Sequence, residues 1–346
     1  MGSRSAVLLA AILPLALSLG CRAQGLGPGP LKAVADLPLP GACSRFDYAS
    51  LDSATHRLFL NHMGAGEVVV VDTRRRAVVA VLKGFPRCTG ILAVPARREV
   101  YVSVPGEGAV AVLDADSLKE LARLKVGDFP DGLAFDPVDQ RVFVSDESGG
   151  RVAAIDARTH RLLARIPMGG EVGNTQYDPG SGRIYSNVQT RAQLVAIDPK
   201  AMTVAARLDL PGAEGNHGLL IDAPRRRAFV ACEGNGKLLV VDLATGRVQA
   251  TFPAGRDPDV LAFDPGTGRL VVACEAGPVA LFHEDDQGLH PEALQRIGDN
   301  AHVVAVDPDT HEVFFPLKRV GRHPALRIVK ETADPTSLRD NGAPRR

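Results

Sequence analysis

The chain repeats one sequence pattern seven times with a period near 42 residues, and this periodicity constrains its fold more than any other feature. The segments "LAFDPVDQRVFVSDESGGRVAAID" and "LAFDPGTGRLVVACEAGPVALFH" share an apolar run ending in Asp-Pro, a turn, an Arg-led strand, a turn and another strand. One position, called the anchor here, marks each copy: Asp52, Val94, Asp136, Asp178, Asp222, Asp264 and Asp307. Successive anchors lie 42, 42, 42, 44, 42 and 43 residues apart, so one structural unit is repeated in tandem.

Each repeat holds four short runs of strand-forming residues separated by turn residues. In the third repeat these runs are 132–136, 141–145, 151–156 and 161–166. Four antiparallel strands in about 42 residues is the size of a propeller blade, and a single blade can bury both faces only against its neighbours. The sequence therefore predicts an all-β protein, a seven-bladed β-propeller with four antiparallel strands per blade.

The seventh repeat lacks a fourth strand, because the chain becomes polar after "ALRIVKE". Near the other end, "AVADLPLPG" resembles "AARLDLPG", the fourth strand and following loop of an earlier repeat. A closed ring leaves no exposed strand edge. We therefore expect residues 31–38 to close the last blade, a propeller over residues 31–330 and a disordered tail at 331–346.

The blades resemble a known family of repeats. Segments such as "VAAIDARTHRLLARIPMGG" and "LLVVDLATGRVQATFPAGRDPDVLAFDPGTGRLVV" look like the YVTN or YncE-like seven-bladed propellers of exported bacterial proteins, and the likeness covers roughly residues 31–330. The resemblance implies the fold and a surface or periplasmic protein. Function has to be argued from the site, because one fold hosts many functions.

The N-terminus has the pattern of a targeting segment. Arg4 precedes the apolar run "AVLLAAILPLALSLG", and cleavage after Ala23 would remove residues 1–23 as a signal peptide. Alternatively, "LSLGC" resembles a lipoprotein box that would leave Cys21 as a lipidated first residue. We expect a periplasmic or secreted protein, with the lipid-anchored form as the alternative. No other run reaches the ~20 apolar residues of a membrane-spanning helix.

The charge balance limits the classes of partner. The chain has 40 basic and 40 acidic side chains, so its formal charge of zero gives no reason to expect nucleic acid as a partner. The sequence contains no nucleotide-binding loop, no CxxCH haem-attachment motif, no serine nucleophile elbow and no HExxH motif. Redox cofactor chemistry therefore has no support in the sequence. We expect a monomer without a transmembrane span, binding a small molecule or a protein segment.

The repeat frame predicts which side chains meet at one mouth of the central channel. In a four-strand meander, the loop leading into a blade and the turn between its second and third strands share one face. The residues five positions before the anchors are Asp47, Thr89, Asp131, Gly173, His217, Asp259 and His302. Eleven positions after the anchors, the same face receives Glu147, Glu233 and Glu275, and Asn174 follows Gly173.

These columns supply the candidate functional residues. The predicted ligand-binding set is Asp47, Asp131, Asn174, His217, Glu233, Asp259, Glu275 and His302. His217, Asp259 and His302 could ligate a divalent metal, because imidazole and carboxylate suit zinc or harder cations. Without metal, His217, His302, Asp259 and Glu275 could act as general acids and bases. In the alternative interpretation the aspartates bind loop NH groups and the histidines are ordinary hydrogen-bonding residues.

Arg45 and Arg87 lie seven residues before their anchors in the first two repeats. They are candidates for binding a substrate carboxylate, or they are solvated surface residues. Aspartate recurs at nearly every anchor, so we expect these residues to have a structural role, holding the turn after the first strand of each blade.

Three functions are compatible with this frame. The first is an exported module that binds a ligand or partner at the mouth, and the second is a lactonase-like hydrolase or lyase, by analogy with other propellers. The third is a structural envelope protein, which predicts a mouth filled by apolar side chains. The binding module is the prediction carried forward.

Four cysteines remain beyond the targeting segment. Cys43 and Cys88 precede the first strands of neighbouring blades, and Cys232 and Cys274 share one column in neighbouring blades. Each pair could form a disulfide if its Cα atoms come within about 7 Å, and otherwise all four are free thiols.

Overall fold

A computed structural model describes residues 26–331, which form seven four-stranded antiparallel sheets that follow one another along the chain. Each sheet is one sequence repeat, so the predicted all-β seven-bladed propeller is confirmed. The predicted signal segment at 1–23, Cys21 and the tail after Glu331 lie outside the described residues. Within the described range, no helix is long and apolar enough to cross a membrane.

The strands are numbered in chain order, and β1 (Leu31–Pro38) precedes the first blade. The first two blades contain β2 (Ala49–Asp52), β3 (Arg57–His62), β4 (Glu67–Asp72) and β5 (Ala77–Lys83), then β6 (Ile91–Val94), β7 (Glu99–Val104), β8 (Ala109–Asp114) and β9 (Glu120–Lys125). The next two contain β10 (Pro130–Asp136), β11 (Arg141–Asp146), β12 (Arg151–Asp156) and β13 (Arg161–Pro167), then β14 (Val172–Asp178), β15 (Arg183–Val188), β16 (Gln193–Asp198) and β17 (Thr203–Asp209). The fifth and sixth contain β18 (Asn216–Asp222), β19 (Arg227–Cys232), β20 (Lys237–Asp242) and β21 (Arg247–Pro253), then β22 (Pro258–Asp264), β23 (Arg269–Cys274), β24 (Pro278–Asp285) and β25 (Gly288–Arg296). The seventh contains β26 (Ala305–Asp307), β27 (Glu312–Val320) and β28 (His323–Glu331), and short 3-10 turns cover Met63–Ala65, Pro95–Arg97, Pro105–Glu107 and Gln189–Arg191.

The N-terminal strand closes the ring, as predicted. β1 pairs antiparallel with β28, from Leu31 opposite Glu331 to Pro38 opposite Ala325. Arg327 on β28 donates two charge-assisted hydrogen bonds, of 2.8 and 2.7 Å, to the carboxylate of Asp36 on β1. β28 includes Glu331, one residue beyond the predicted boundary at 330.

The core consists of seven apolar clusters, one at each interface between neighbouring blades. The second and third strands of each blade are apolar along most of their length, as in "EVVVVD" of β4, because neighbours cover both faces. Fourth strands alternate between half-buried and exposed residues, as expected at the outer edge of the ring. Phe314 and Ile328 of the last blade pack on Leu58 and Leu60 of the first, so the closing interface resembles the others.

The anchor aspartates hold the turns that follow their strands. In β2, Asp52 Oδ1 accepts a hydrogen bond from Ala54 N at 3.1 Å, and Asp178 Oδ1 accepts one from Gly180 N at 2.9 Å. The aspartates that end the third strands do the same, with Asp156 Oδ1 bonded to Thr159 N at 2.8 Å. The repetition of this residue therefore reflects turn geometry, as the sequence indicated.

The four described cysteines are free thiols, so neither disulfide suggested by the sequence forms. Each sulfur instead faces a backbone carbonyl, for example Cys274 Sγ at 3.0 Å from Ala254 O. Cys88, Cys232 and Cys274 are buried, and Cys43 is partly exposed. Burial is the main cause that raises the pKa of the Cys232 thiol to about 11 and those of Cys88 and Cys274 to about 12.

Candidate functional site

The innermost strands carry a β-bulge at the mouth end in four of the blades. In β10, the pairing with β11 shifts between Pro130 and Leu133, and β14, β18 and β22 shift at equivalent places. A bulge inserts an extra residue and redirects the side chains beside it. The residues within these four bulges include the predicted site residues Asp131, Asn174, His217 and Asp259.

Polar side chains of the neighbouring blade hold several of these segments in place. Asn187 Nδ2 donates to the carbonyls of His217 and Gly218 at 2.9 and 3.1 Å. Asn61 does the same for Thr89 and Gly90 at 2.6 and 2.9 Å. This column was not predicted from the sequence. Its signal is a buried polar residue inside an apolar second strand: Asn61, Ser103, Ser145 and Asn187. These hydrogen bonds fix the channel wall before any ligand arrives.

The mouth encloses a cavity of about 210 Å³. Residues from both predicted columns line it, so the structure brings them together: Asp47, Thr89, Asp131, His217 and Asp259, with Met63, Glu147, Glu233 and Glu275. Arg45 also lines the cavity, as do Tyr48 and Phe129, which the sequence analysis did not single out. The wall is polar and charged, unlike the apolar mouth that a purely structural role predicts.

His217 lies among carboxylates at the centre of the cavity. Its Nε2 is 3.5 Å from Asp131 Oδ2, 3.7 Å from Asp259 Oδ1 and 3.1 Å from the hydroxyl of Tyr48. Burial alone would lower the pKa of His217, but Asp259, Glu233 and Asp131 raise it to about 9. At neutral pH this imidazole therefore carries a positive charge.

Tyr48 forms a partition between two cavities of the channel, with its hydroxyl beside His217. Its hydroxyl donates to Asn174 Oδ1 at 2.7 Å, and its ring borders both the mouth cavity and a second cavity of about 220 Å³. The column of Tyr48, four residues before the anchors, otherwise reads Gly90, Gly132, Asn174, Gly218, Val260 and Val303. A single aromatic residue among small ones was the signal that could have identified it. Asn174, predicted to bind ligand, supports this partition instead of lining the mouth.

His302 lies in the wall beside the cavity and has no exposed surface. Its Nδ1 is 3.3 Å from the carbonyl of Asn300, so Nδ1 carries the proton and Nε2 is the lone-pair nitrogen. That Nε2 has no hydrogen-bond partner among the described residues. Burial and the charge of Arg45 lower the pKa of His302 to about 4. His217 and His302 therefore occupy one sequence column, but near neutral pH the first is positively charged and the second is neutral.

Two groups of donor atoms are close enough to share a cation. Asp47, Asp259 and His302 form one, and His217, Glu233 and Asp259 form the other, each with its donor atoms within 4.8 Å of one another. Asp259 belongs to both groups. Within residues 26–331, these are the groups of side chains that could hold a metal.

Arg45 and Arg87, predicted together, have different surroundings. Arg45 forms an ion pair with Glu275, and its Nε is 3.6 Å from Asp47 Oδ2. Although burial opposes both shifts, these carboxylates raise the pKa of Arg45, and the positive charge of Arg45 lowers the pKa of Glu275. Arg87 is exposed and stacks on the ring of Phe129 at 5.1 Å.

The remaining carboxylates of the mouth are crowded and desolvated. Burial, with the neighbouring Glu233 and Glu275, raises the pKa of Asp259 to about 7 against the opposing charge of His217. Burial is also the largest cause of the raised pKa values of Asp47, Asp131, Glu147 and Glu233. Such a set can attract a cation, or exchange a proton near neutral pH.

Comparison with known proteins supports the fold and leaves the activity open. No family model and no curated protein matches the chain, so the YVTN or YncE-like resemblance has no family match behind it. Among solved structures, Kuenenia stuttgartiensis hydrazine synthase is similar with a TM-score of 0.72 and 17% identity, covering 87% of this chain and 97% of that chain. A chain in a crystal structure of the mitotic checkpoint complex has a TM-score of 0.74 and 11% identity, covering 96% of this chain and 100% of that chain. At these identities the likeness establishes a seven-bladed propeller and assigns no function.

Proposed function

We propose that this propeller is a binding module whose mouth cavity captures a small cationic ligand. The observation that carries the proposal is the charge of the cavity wall. Six carboxylates line it: Asp47, Asp131, Glu147, Glu233, Asp259 and Glu275. Arg45 and the protonated His217 offset only part of this charge, and burial raises the pKa values of Asp47, Asp131, Glu147, Glu233 and Asp259.

The size and rigidity of the cavity favour a small ligand. A volume of about 210 Å³ is below the ~300 Å³ at which pockets for drug-sized molecules begin. The bulges that present Asp131 and His217 are held by hydrogen bonds from neighbouring blades, through Ser103 to Asp131 O at 2.6 Å and through Asn187 to His217 O. A preformed wall lowers the entropy cost of binding.

Calorimetric titration of the chelator-treated protein tests the proposal, with calcium, manganese and zinc salts and small amines such as putrescine as probes. The double variant Asp131→Asn/Glu233→Gln removes two wall charges, and Asp286→Asn, on an almost fully exposed side chain, is the matched control. We expect the double variant to bind about tenfold or more weakly, because charge-assisted contacts contribute ~1.5–3 kcal/mol each. Equal affinity in wild type and double variant, or no binding of any cation, contradicts the proposal.

A second function, lactonase-like hydrolysis or elimination, is favoured by one observation. Asp259 has a pKa of about 7 and lies beside His217, which gives the mouth a proton donor and acceptor near neutral pH. A lactone screen comparing wild type, Asp259→Asn and Asp286→Asn tests it. Turnover lost only in Asp259→Asn supports an enzyme, and no turnover with any lactone rejects this second function.

The location is part of the proposal. The N-terminal sequence supports export with cleavage after Ala23, and the alternative is lipidation of Cys21. Mass spectrometry of the mature protein from the periplasm separates the two by the first residue and by an acyl mass. Full-length protein retained in the cytoplasm contradicts export.

A further inference from the structure

We infer that the cation of the mouth is a divalent transition-metal ion of the zinc type, bound by Asp47, Asp259 and His302. These residues come from the first, sixth and seventh blades, so the site forms only when the ring has closed. The inference rests on the proposed function, because it specifies which cation the acidic mouth takes and where.

His302 is the residue that points most clearly to a metal. It is 0% exposed, its Nδ1 hydrogen is directed at Asn300 O, and its Nε2 lone pair has no hydrogen-bond partner among the described residues. Glu275 Oε1 lies 3.9 Å from this Nε2, beyond hydrogen-bond distance. A buried lone pair without a donor is unfavourable, and neutral imidazole with its other nitrogen bonded to a carbonyl has the arrangement of a metal ligand.

Asp259 provides a second buried atom without a hydrogen bond, its Oδ1, which lies 3.7 Å from His217 Nε2. It is 3% exposed, and its Oδ1 accepts no hydrogen bond. With Asp47 and His302 it forms a set of donor atoms within 4.8 Å of one another. Ligands at 2.0–2.1 Å from a tetrahedral ion stand about 3.4 Å apart, so side-chain shifts of about 1 Å complete the site.

The other cation group uses His217, which is already engaged. Its Nε2 makes a 3.1 Å hydrogen bond with Tyr48 and faces two carboxylates as an ion-pair partner. The site inferred here therefore differs from the set expected from sequence, because Asp47 takes the place of His217. The fourth coordination position is left for a water or ligand.

The donor set also indicates the class of ion. One imidazole and two carboxylates suit zinc, cobalt or manganese, whereas calcium takes six to eight oxygen ligands. Arg45 is an ion-pair partner of both Asp47 and Glu275, so a metal ion on Asp47 would compete with the first pair and leave Arg45 paired with Glu275. Asp131, Glu147 and Glu233 keep the surroundings negative after a divalent ion binds.

Titration of the chelator-treated protein with zinc alone, and with cobalt followed by visible absorption, tests the site. We expect one ion per chain and cobalt bands of a four- or five-coordinate centre. His302→Gln should weaken zinc binding about 100-fold or more, and His217→Gln, the matched variant from the same column, should retain it. Circular dichroism confirms folding, and Asp47→Asn replaces His302→Gln if that variant does not fold.

Each outcome decides between the two proposals. Zinc binding that survives in His302→Gln, or that is lost only in His217→Gln, overturns the inferred site. Putrescine binding without zinc binding also overturns it but leaves the cationic mouth of the proposed function intact. Binding of none of the probes, whether zinc, manganese, calcium or putrescine, rejects both.

Discussion

Replacing Tyr48 by Phe tests whether the partition of the channel is held by hydrogen bonds or by packing alone. The ring stays, and only the hydroxyl is lost. In the wild-type protein this hydroxyl donates to Asn174 Oδ1 at 2.7 Å and accepts from the protonated Nε2 of His217 at 3.1 Å. Both partners are buried, so neither recovers a full hydrogen bond with water.

The expected loss of unfolding free energy follows from these two hydrogen bonds. Leaving the Asn174 amide oxygen without a donor costs about 1–3 kcal/mol, because a buried acceptor loses its hydration and gains nothing in return. His217 loses less, about 1 kcal/mol, since Asp131 Oδ2 at 3.5 Å can accept its proton. We therefore expect Tyr48→Phe to lower the free energy of unfolding by about 2–4 kcal/mol.

Urea unfolding in the presence of a chelator, followed by far-ultraviolet circular dichroism, measures this difference, since the chain has no Trp to report by fluorescence. Tyr185→Phe is the matched control, because Tyr185 is buried in the apolar core and should cost under about 0.5 kcal/mol. A double-mutant cycle with Asn174→Ala isolates the Tyr48–Asn174 contact, with an expected coupling of about 1 kcal/mol or more. A free energy for Tyr48→Phe within 0.5 kcal/mol of wild type, with no coupling, would refute the reasoning.

Three further predictions follow from the same structure. Gly218→Ala should destabilise the protein by more than about 2 kcal/mol, because the added Cβ would lie 1.9 Å from Asp259 O. In the control Gly182→Ala the added Cβ meets no atom within 4 Å, so the control shows only the strain of its left-handed backbone, about 1–2 kcal/mol. Equal unfolding midpoints of the two variants contradict the prediction. Folding raises the pKa of His217 from 6.5 to about 9, so its contribution to stability is complete below about pH 6.5 and is lost as the pH rises through 9. In the presence of a chelator, His217→Gln should therefore lower the free energy of unfolding by about 3 kcal/mol more near pH 6 than near pH 10. A difference in unfolding free energy that does not change with pH contradicts this prediction. In a protein beginning at residue 26, a thiol reagent should modify the partly exposed Cys43 rapidly in the folded state. After unfolding without reductant it should modify all four cysteines, and recovery of fewer than four thiols means that a disulfide has formed.

The fold could be predicted from the sequence because each blade repeats the same pattern of strands and turns. The spacing of anchors such as Asp136 and Asp178, and the likeness of residues 33–41 to a fourth strand, predicted the number of blades and the closing strand. The third blade shows the accuracy, since its strands begin and end within two residues of the predicted runs. Repetition makes every boundary an average over seven copies, which a single unrepeated domain does not offer.

Only part of the site could be predicted, because contacts across the channel depend on the residues that differ from one repeat to the next. The column positions identified Asp47, Asp131 and Asp259 as neighbours around one cavity. They could not show that His217 and His302 differ in charge, since that depends on the carboxylates and the carbonyl each ring meets. The cysteine pairings failed for a similar reason, because a shared column in neighbouring blades does not direct two sulfurs toward each other.

The strand pair β1–β28 has a consequence for the order of folding. Its outermost pairing, Leu31 with Glu331, joins residues 300 positions apart, whereas the pairing of Asp146 with Arg151 spans five. Loop-closure entropy makes the long connection about 3–4 kcal/mol more costly to form. The ring should therefore close last and open first, so amide hydrogens of β1 should exchange faster than those of β11 and β12. Since the donors for the inferred metal come from blades on both sides of this junction, ion binding would report that the final step of folding is complete.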